Sequence, residues 1–128
     1  MTLDAIATPG APAAIGPYSQ AIAAGGFLFV SGQLPMDPVT GELILDDTTA
    51  ATHRVMDNLV AILEAAGTDL SRAVKAAVYC TDLADYAAIN AVYATYFEGR
   101  VPPARVAVQV AALPKGAKVE IELVALLR

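Results

Sequence analysis

One histidine and one cysteine in 128 residues leave little of the usual catalytic repertoire. Two such residues cannot build a disulfide framework or a four-ligand zinc site. The chain also has no phosphate loop, dinucleotide fingerprint or Gly-x-Ser-x-Gly elbow, so neither a metal nor a cofactor is expected. What remains is polar and simple. Arg105 is planar and permanently charged, and it can grip a carboxylate through two parallel hydrogen bonds, as an anchor for a small organic acid needs to. Glu120 is of a type that is ionised near neutral pH and can take a proton from water. Spacing alone favours a plainer reading, in which Arg105 pairs with Glu120 or Glu122 across strands and Glu120 pairs with Lys118 or Arg105. His53 falls on a helix face with Asp57 and Glu64 and reads as solvated, not as a base. Cys80 alternates with polar residues along a strand and reads as packing.

These side chains must be held by elements that the hydropathy pattern reveals. After a Pro/Gly/Ala-rich lead, Ser19–Ala24 and Phe27–Gly32 read as two strands turned at Gly25-Gly26. Asp37 to Gly41 reads as a turn, with Glu42–Leu45 as a short third strand. Val55, Leu59, Ile62, Leu63 and Ala66 recur at helical spacing over residues 49–66. Asp46, Asp47 or Thr48 is placed to cap this helix and Gly67 to end it. Val74, Ala76, Val78 and Cys80 keep the period of a strand with one buried face. Ile89, Val92, Tyr93, Tyr96 and Phe97 form the stripe of a second helix over residues 85–98. Residues 104–111 and 118–126 then read as a closing hairpin. Its aliphatic face (Val106, Val108, Val110, Val119, Ile121, Leu123) is expected to meet the helices. Arg105, Gln109, Glu120 and Glu122 are left on the open face.

The fold class that follows is α+β, a mixed sheet with two helices packed on one face, in a single domain spanning residues 1–128. A net charge of −5 argues against a phosphate-binding surface, so no nucleic-acid partner is expected. Residues 5–36 carry no charge, yet Pro9, Pro12, Pro17, Pro35 and five glycines break any helix there, and no membrane partner is expected. The start, Met1-Thr2-Leu3-Asp4, lacks the basic residues of a secretory signal, and a cytoplasmic location is the expectation. With only 16% charged residues, the chain is expected to bury surface against copies of itself.

The segment PPARVAVQVAALPKGAKVEIE, residues 102–122, closely resembles the signature of the Rid (YjgF) family. IGPYSQAI at residues 15–22 and VSGQLP at 30–35 resemble its two N-terminal blocks, and DLADYAAINAVYATYF at 82–97 resembles its second helix. The resemblance covers essentially the whole chain and points to a deaminase-type member. It implies a chorismate-mutase-like protomer, a homotrimer with clefts between subunits, and no cofactor. The implied reaction is hydrolysis of 2-imino and 2-enamino acids, such as 2-aminoacrylate and its 2-iminopropanoate tautomer, to 2-oxo acids and ammonia, as by a 2-iminobutanoate/2-iminopropanoate deaminase. In that frame Arg105 holds the substrate carboxylate and Glu120 works with the attacking water. Tyr18, Ser31, Asn90 and Ala107 line the cleft. Ala107 departs from the Cys that deaminase members often carry: if the position contributes through backbone groups the change is harmless, and if some substrates need a thiol the range is narrower. Two alternatives stand beside this reading, and a ribonuclease reading, which the acidic charge makes least attractive, is a third. One is a non-catalytic trimer that binds small carboxylates or a protein. The other is a catabolic member acting on a pyrimidine- or aromatic-derived amine.

Overall fold

A computed structural model describes residues 2–128. Six strands form one mixed sheet: β1 (Asp4–Ile6), β2 (Ala21–Ala24), β3 (Phe27–Gln33), β4 (Ala73–Cys80), β5 (Ala104–Gln109) and β6 (Val119–Leu126). Their spatial order is β1-β2-β3-β6-β4-β5. Two helices, α1 (Thr48–Ala65) and α2 (Tyr86–Tyr96), pack against each other and contribute to one hydrophobic core with the sheet.

Local chemistry explains most boundaries. Gly25 and Gly26 both take positive φ, 61° and 84°, which suits a two-residue turn between twisted strands and fixes the β2–β3 hairpin. Of the three candidate caps for α1, Asp47 does the work, its carboxylate accepting from the Ala50 N–H at 3.0 Å. The helix then buries Val55, Met56, Leu59, Ile62 and Leu63 completely, and Gly67 with φ 81° redirects the chain beyond its end. Asn58 is also fully buried in α1, and it is satisfied by donating to the Leu34 and Met36 carbonyls at 3.2 and 3.0 Å. No helix of the described residues is long and apolar enough to cross a membrane.

The expected C-terminal hairpin does not exist. β5 pairs in parallel with β4 at the edge of the sheet, whereas β6 runs antiparallel between β3 and β4. The apolar alternation of β6 suits either position. What decides is that Val119, Ile121, Leu123 and Ala125 are all at most 2% exposed, a burial that a central strand achieves and an edge strand does not. The parallel register, with Ala76 opposite Arg105 and Val78 opposite Ala107, overturns a second expectation. Arg105 and Gln109 share the helix-side face with Ala76, Val78 and Cys80, and Val106 and Val108 lie on the open face, 43% and 39% exposed. Glu120 and Glu122 are on the open face as expected, Glu120 opposite Tyr79.

Smaller differences have local causes. β2 begins at Ala21, because the backbone of Ser19 and Gln20 is taken up by Ser31. Residues 42–45 make only one bridge, Leu43 to Met36. Asp4–Ile6, within the Pro/Gly/Ala-rich lead, pairs with β2 as an edge strand. Val74 turns outward because a register shift between Ala73 and Lys75 gives the buried position to Ala73.

Candidate functional site

Between Val30 and Gln33, β3 spends one more residue than β6 does across the same stretch, and the register slips. Such a bulge re-aims side chains beside functional sites. Here it presents Ser31 and Gly32 to a cavity of about 530 Å³, lined by Tyr18, Ser31, Gly32, Lys115, Glu120 and Glu122 among others. A side chain on Gly32 would collide with the Glu120 carboxylate, so the glycine lets backbone and acid approach closely. Burial, reinforced by the neighbouring charge of Glu122, pushes the Glu120 carboxyl above its usual range. Glu122 is held differently, accepting from the Tyr79 hydroxyl at 2.7 Å.

The cavity wall is tied down by polar groups. Ser31 Oγ donates to the Ser19 carbonyl at 2.6 Å, leaving its oxygen lone pairs free. Gln20, only 4% exposed, donates to the carbonyls of Thr8, Ala11 and Pro12 and accepts from the Thr8 N–H. It thereby fastens the segment that contributes Pro12 and Ala13 to the rim. Tyr18 is exposed at the same rim, its phenol oxygen 3.4 Å from the Ile15 nitrogen, which donates to it. Lys115 also lines the cavity and takes a left-handed backbone, φ 58°, within the turn that leads into β6.

Arg105 is elsewhere in the protomer. Its Nη1 donates to Asn90 Oδ1 at 2.8 Å and its Nη2 donates to the Tyr86 hydroxyl. The guanidinium carbon also lies 4.8 Å from the ring centre of Tyr93, within cation–π range. Tyr86, Asn90 and Tyr93 follow i, i+4, i+7 spacing, so one stripe of α2 holds the cation. Asn90, Tyr93, Arg100 and Arg105 line a separate cavity of about 430 Å³. Ala107, two residues along the same face of β5, packs against the core.

The six residues singled out in the sequence therefore fall into two groups. Tyr18, Ser31 and Glu120 meet in one cavity; Asn90 and Arg105 meet in another, with Ala107 beside them on β5. Within one protomer Arg105 and Glu120 are on opposite faces of the sheet with β4 between them, so the expected ion pair of Arg105 with Glu120 or Glu122 does not form. Gly32, Gln20 and Tyr86 escaped the sequence reading. Tyr86 alone had a legible signal, its helical spacing from Asn90.

His53 is exposed on α1, its Nδ1 3.1 Å from the Tyr96 hydroxyl, which in turn donates to Asp57 at 2.7 Å. Cys80 is fully buried, and burial pushes its thiol up, away from the reactive thiolate.

The model of the family described as endoribonuclease L-PSP matches residues 8–127, and with it come both cavities and the helix that holds Arg105. The chain belongs to this Rid (YjgF) family. Among its Rid relatives is a RutC family protein of Pyrococcus horikoshii, 52% identical over 95% of this chain and 96% of that protein. A 2-iminobutanoate/2-iminopropanoate deaminase of Capra hircus is 48% identical over 94% of this chain and 87% of that protein. The crystal structure of the Rid family protein YyfA from Yersinia pestis superposes with a TM-score of 0.97 at 45% identity, covering 98% of this chain and all of that one. The Rid architecture accounts for the strand order that the hydropathy pattern did not disclose.

Proposed function

We propose that this Rid protein hydrolyses small 2-imino and 2-enamino acids to 2-oxo acids and ammonia. We further propose that it does so as a homotrimer in which the Glu120 cavity of one subunit faces Arg105 of the next. The observation that carries the reading is the state of the two groups. Arg105 is a half-buried cation oriented by Asn90 with no carboxylate opposing it among the described residues, and Glu120 is a carboxyl raised by burial in a cavity. The relatives named as deaminases support the choice of substrate. Their separation within one protomer is what a shared cleft would require, and the exposed Phe27, Phe29, Val106 and Val108 on the open face give subunits an apolar surface to meet on.

The chemistry needs little else. An imine carbon is already electrophilic, so a fixed carboxylate and a positioned water supply most of the advantage. Arg105 takes the substrate carboxylate. Glu120 accepts a proton from water as the water oxygen bonds to the imine carbon, the C=N π pair moves to nitrogen, and Glu120 returns the proton to that nitrogen. The tetrahedral carbinolamine then collapses: Glu120 passes the hydroxyl proton to the amine, the C–N bond breaks as the C=O bond forms, and ammonia leaves a 2-oxo acid. A carboxyl raised toward neutrality accepts and returns protons more evenly than an ordinary one. Tyr18 and Ser31 form the polar wall around the substrate. At position 107 only backbone groups are available, so no thiol takes part.

The test generates imines in situ with an amino-acid oxidase and follows their loss by semicarbazone trapping. Arg105→Ala should reduce turnover at least tenfold, since a charge-assisted hydrogen bond contributes roughly 1.5–3 kcal/mol. Glu120→Gln should lose turnover while still binding a 2-oxo acid. Full activity in folded Arg105→Ala would remove the carboxylate-anchor role, and a wild-type protein that binds but never turns over would favour the non-catalytic carboxylate-binding trimer.

A further inference from the structure

We propose that Tyr86 is a second carboxylate-binding residue of this site, its phenol donating a hydrogen bond to the same anion that Arg105 grips. The inference rests on the reading of Arg105 as the carboxylate anchor, and it starts from a count of hydrogens. A guanidinium carries five N–H donors and no acceptor. In its contact with Arg105 Nη2, Tyr86 Oη must therefore be the acceptor, which leaves the phenol's own hydrogen uncommitted. Among the described residues no acceptor takes that hydrogen. Two of the five guanidinium donors are spent on Asn90 and Tyr86, and three remain. A planar guanidinium offers one carboxylate at most two parallel N–H bonds, so the phenol O–H would add a further donor to the same anion.

The surroundings have the same character. Tyr86 touches the guanidinium without lining the cavity beside it, whose walls include Arg100 and Asn90 and neither Asp nor Glu. Tyr93, whose ring stacks near the guanidinium, has a buried hydroxyl with no hydrogen-bond partner among the described residues. A polar atom buried without a partner is uncommon and costly, and here it belongs to a ring that lies against the same guanidinium as Tyr86. A cation, unused donors and a wall without acids together suit an anionic group. The class of ligand these groups suit is a small monocarboxylate.

Tyr86→Phe separates this from a packing role, because the ring 5.6 Å from the guanidinium carbon is retained and only the oxygen is removed. Binding of 2-oxobutanoate, measured by calorimetry, should weaken about five- to tenfold. In the imine assay KM should rise by a similar factor with kcat within about twofold, and Tm should stay within about a degree. A lowered Tm with unchanged 2-oxobutanoate affinity would overturn the proposal and leave Tyr86 a packing residue. Arg105→Ala serves as the control. If it abolishes binding and Tyr86→Phe does not weaken it, the Tyr86 assignment fails alone; if neither variant changes binding, the anchor reading fails and takes this proposal with it.

Discussion

Glu120 shows how placing one acid in a cavity trades stability against chemistry. Its carboxyl is raised by burial and by Glu122, so the folded protein favours the protonated form more than the unfolded chain does. Below the ordinary value of 4.5 the group is neutral in both states and costs nothing. As pH rises through the raised folded value, ionisation in the cavity is increasingly unfavourable and the wild type loses stability. Glu120→Gln removes that cost. The variant should melt higher than wild type at pH 7–8, and the gap should close in scans below 4.5, even though turnover is lost. An unchanged gap across that range would mean that Glu120 is as well solvated as a surface acid. Residue type made Arg105 and Glu120 candidates in the sequence and the Rid resemblance gave them roles, but the faces they occupy were not legible. A side chain's face depends on register with a neighbouring strand, and β5 takes its register from β4 through a parallel pairing that no local pattern encodes.

At the level of elements, the helices and the first hairpin could be read because their signals are local: the Asp47 cap, the paired glycines at 25 and 26, and the stripe of α1. The closing hairpin could not, because two alternating strands joined by a turn look alike whether they pair with each other or with strands far away in sequence. The bulge at Ser31–Gly32 was equally hidden, since it is defined only against β6. Its importance can be tested directly. Gly32→Ala places a methyl against the Glu120 carboxylate, which must swing away. Misplacement of this kind costs up to about a hundredfold in rate, so imine hydrolysis should fall far more than Tm does. Equal activity in Gly32→Ala would show that the acid tolerates displacement. Gln20 works at a different level, through four hydrogen bonds to the backbone of residues 8–12. Gln20→Leu would strip partners from buried carbonyls and should destabilise the protein by about 1–3 kcal/mol in urea unfolding.

For the molecule as a whole, the exposed valines of β5 are the clearest statement about assembly. Val106 and Val108 keep an aliphatic strand on a face that the protomer's own helices do not cover. We expect light scattering of the purified protein to give a trimer at micromolar concentration. The double change Val106→Asp with Val108→Asp should shift it toward monomer while circular dichroism stays native. With Arg105 and Glu120 then in separate molecules, turnover should collapse. A fully active monomer would remove the shared cleft. The strand order has a further meaning for how the protein comes into being on the ribosome. β6 is the last strand to be synthesised, yet it fills the gap between β3 and β4. Until it emerges, both neighbours expose unpaired edges, open to pairing with other nascent chains. The sheet therefore cannot ripen from its N-terminus during translation. A stalled or truncated product lacking residues 119–126 would be two half-sheets with a seam between them, prone to aggregation and a natural client for chaperones.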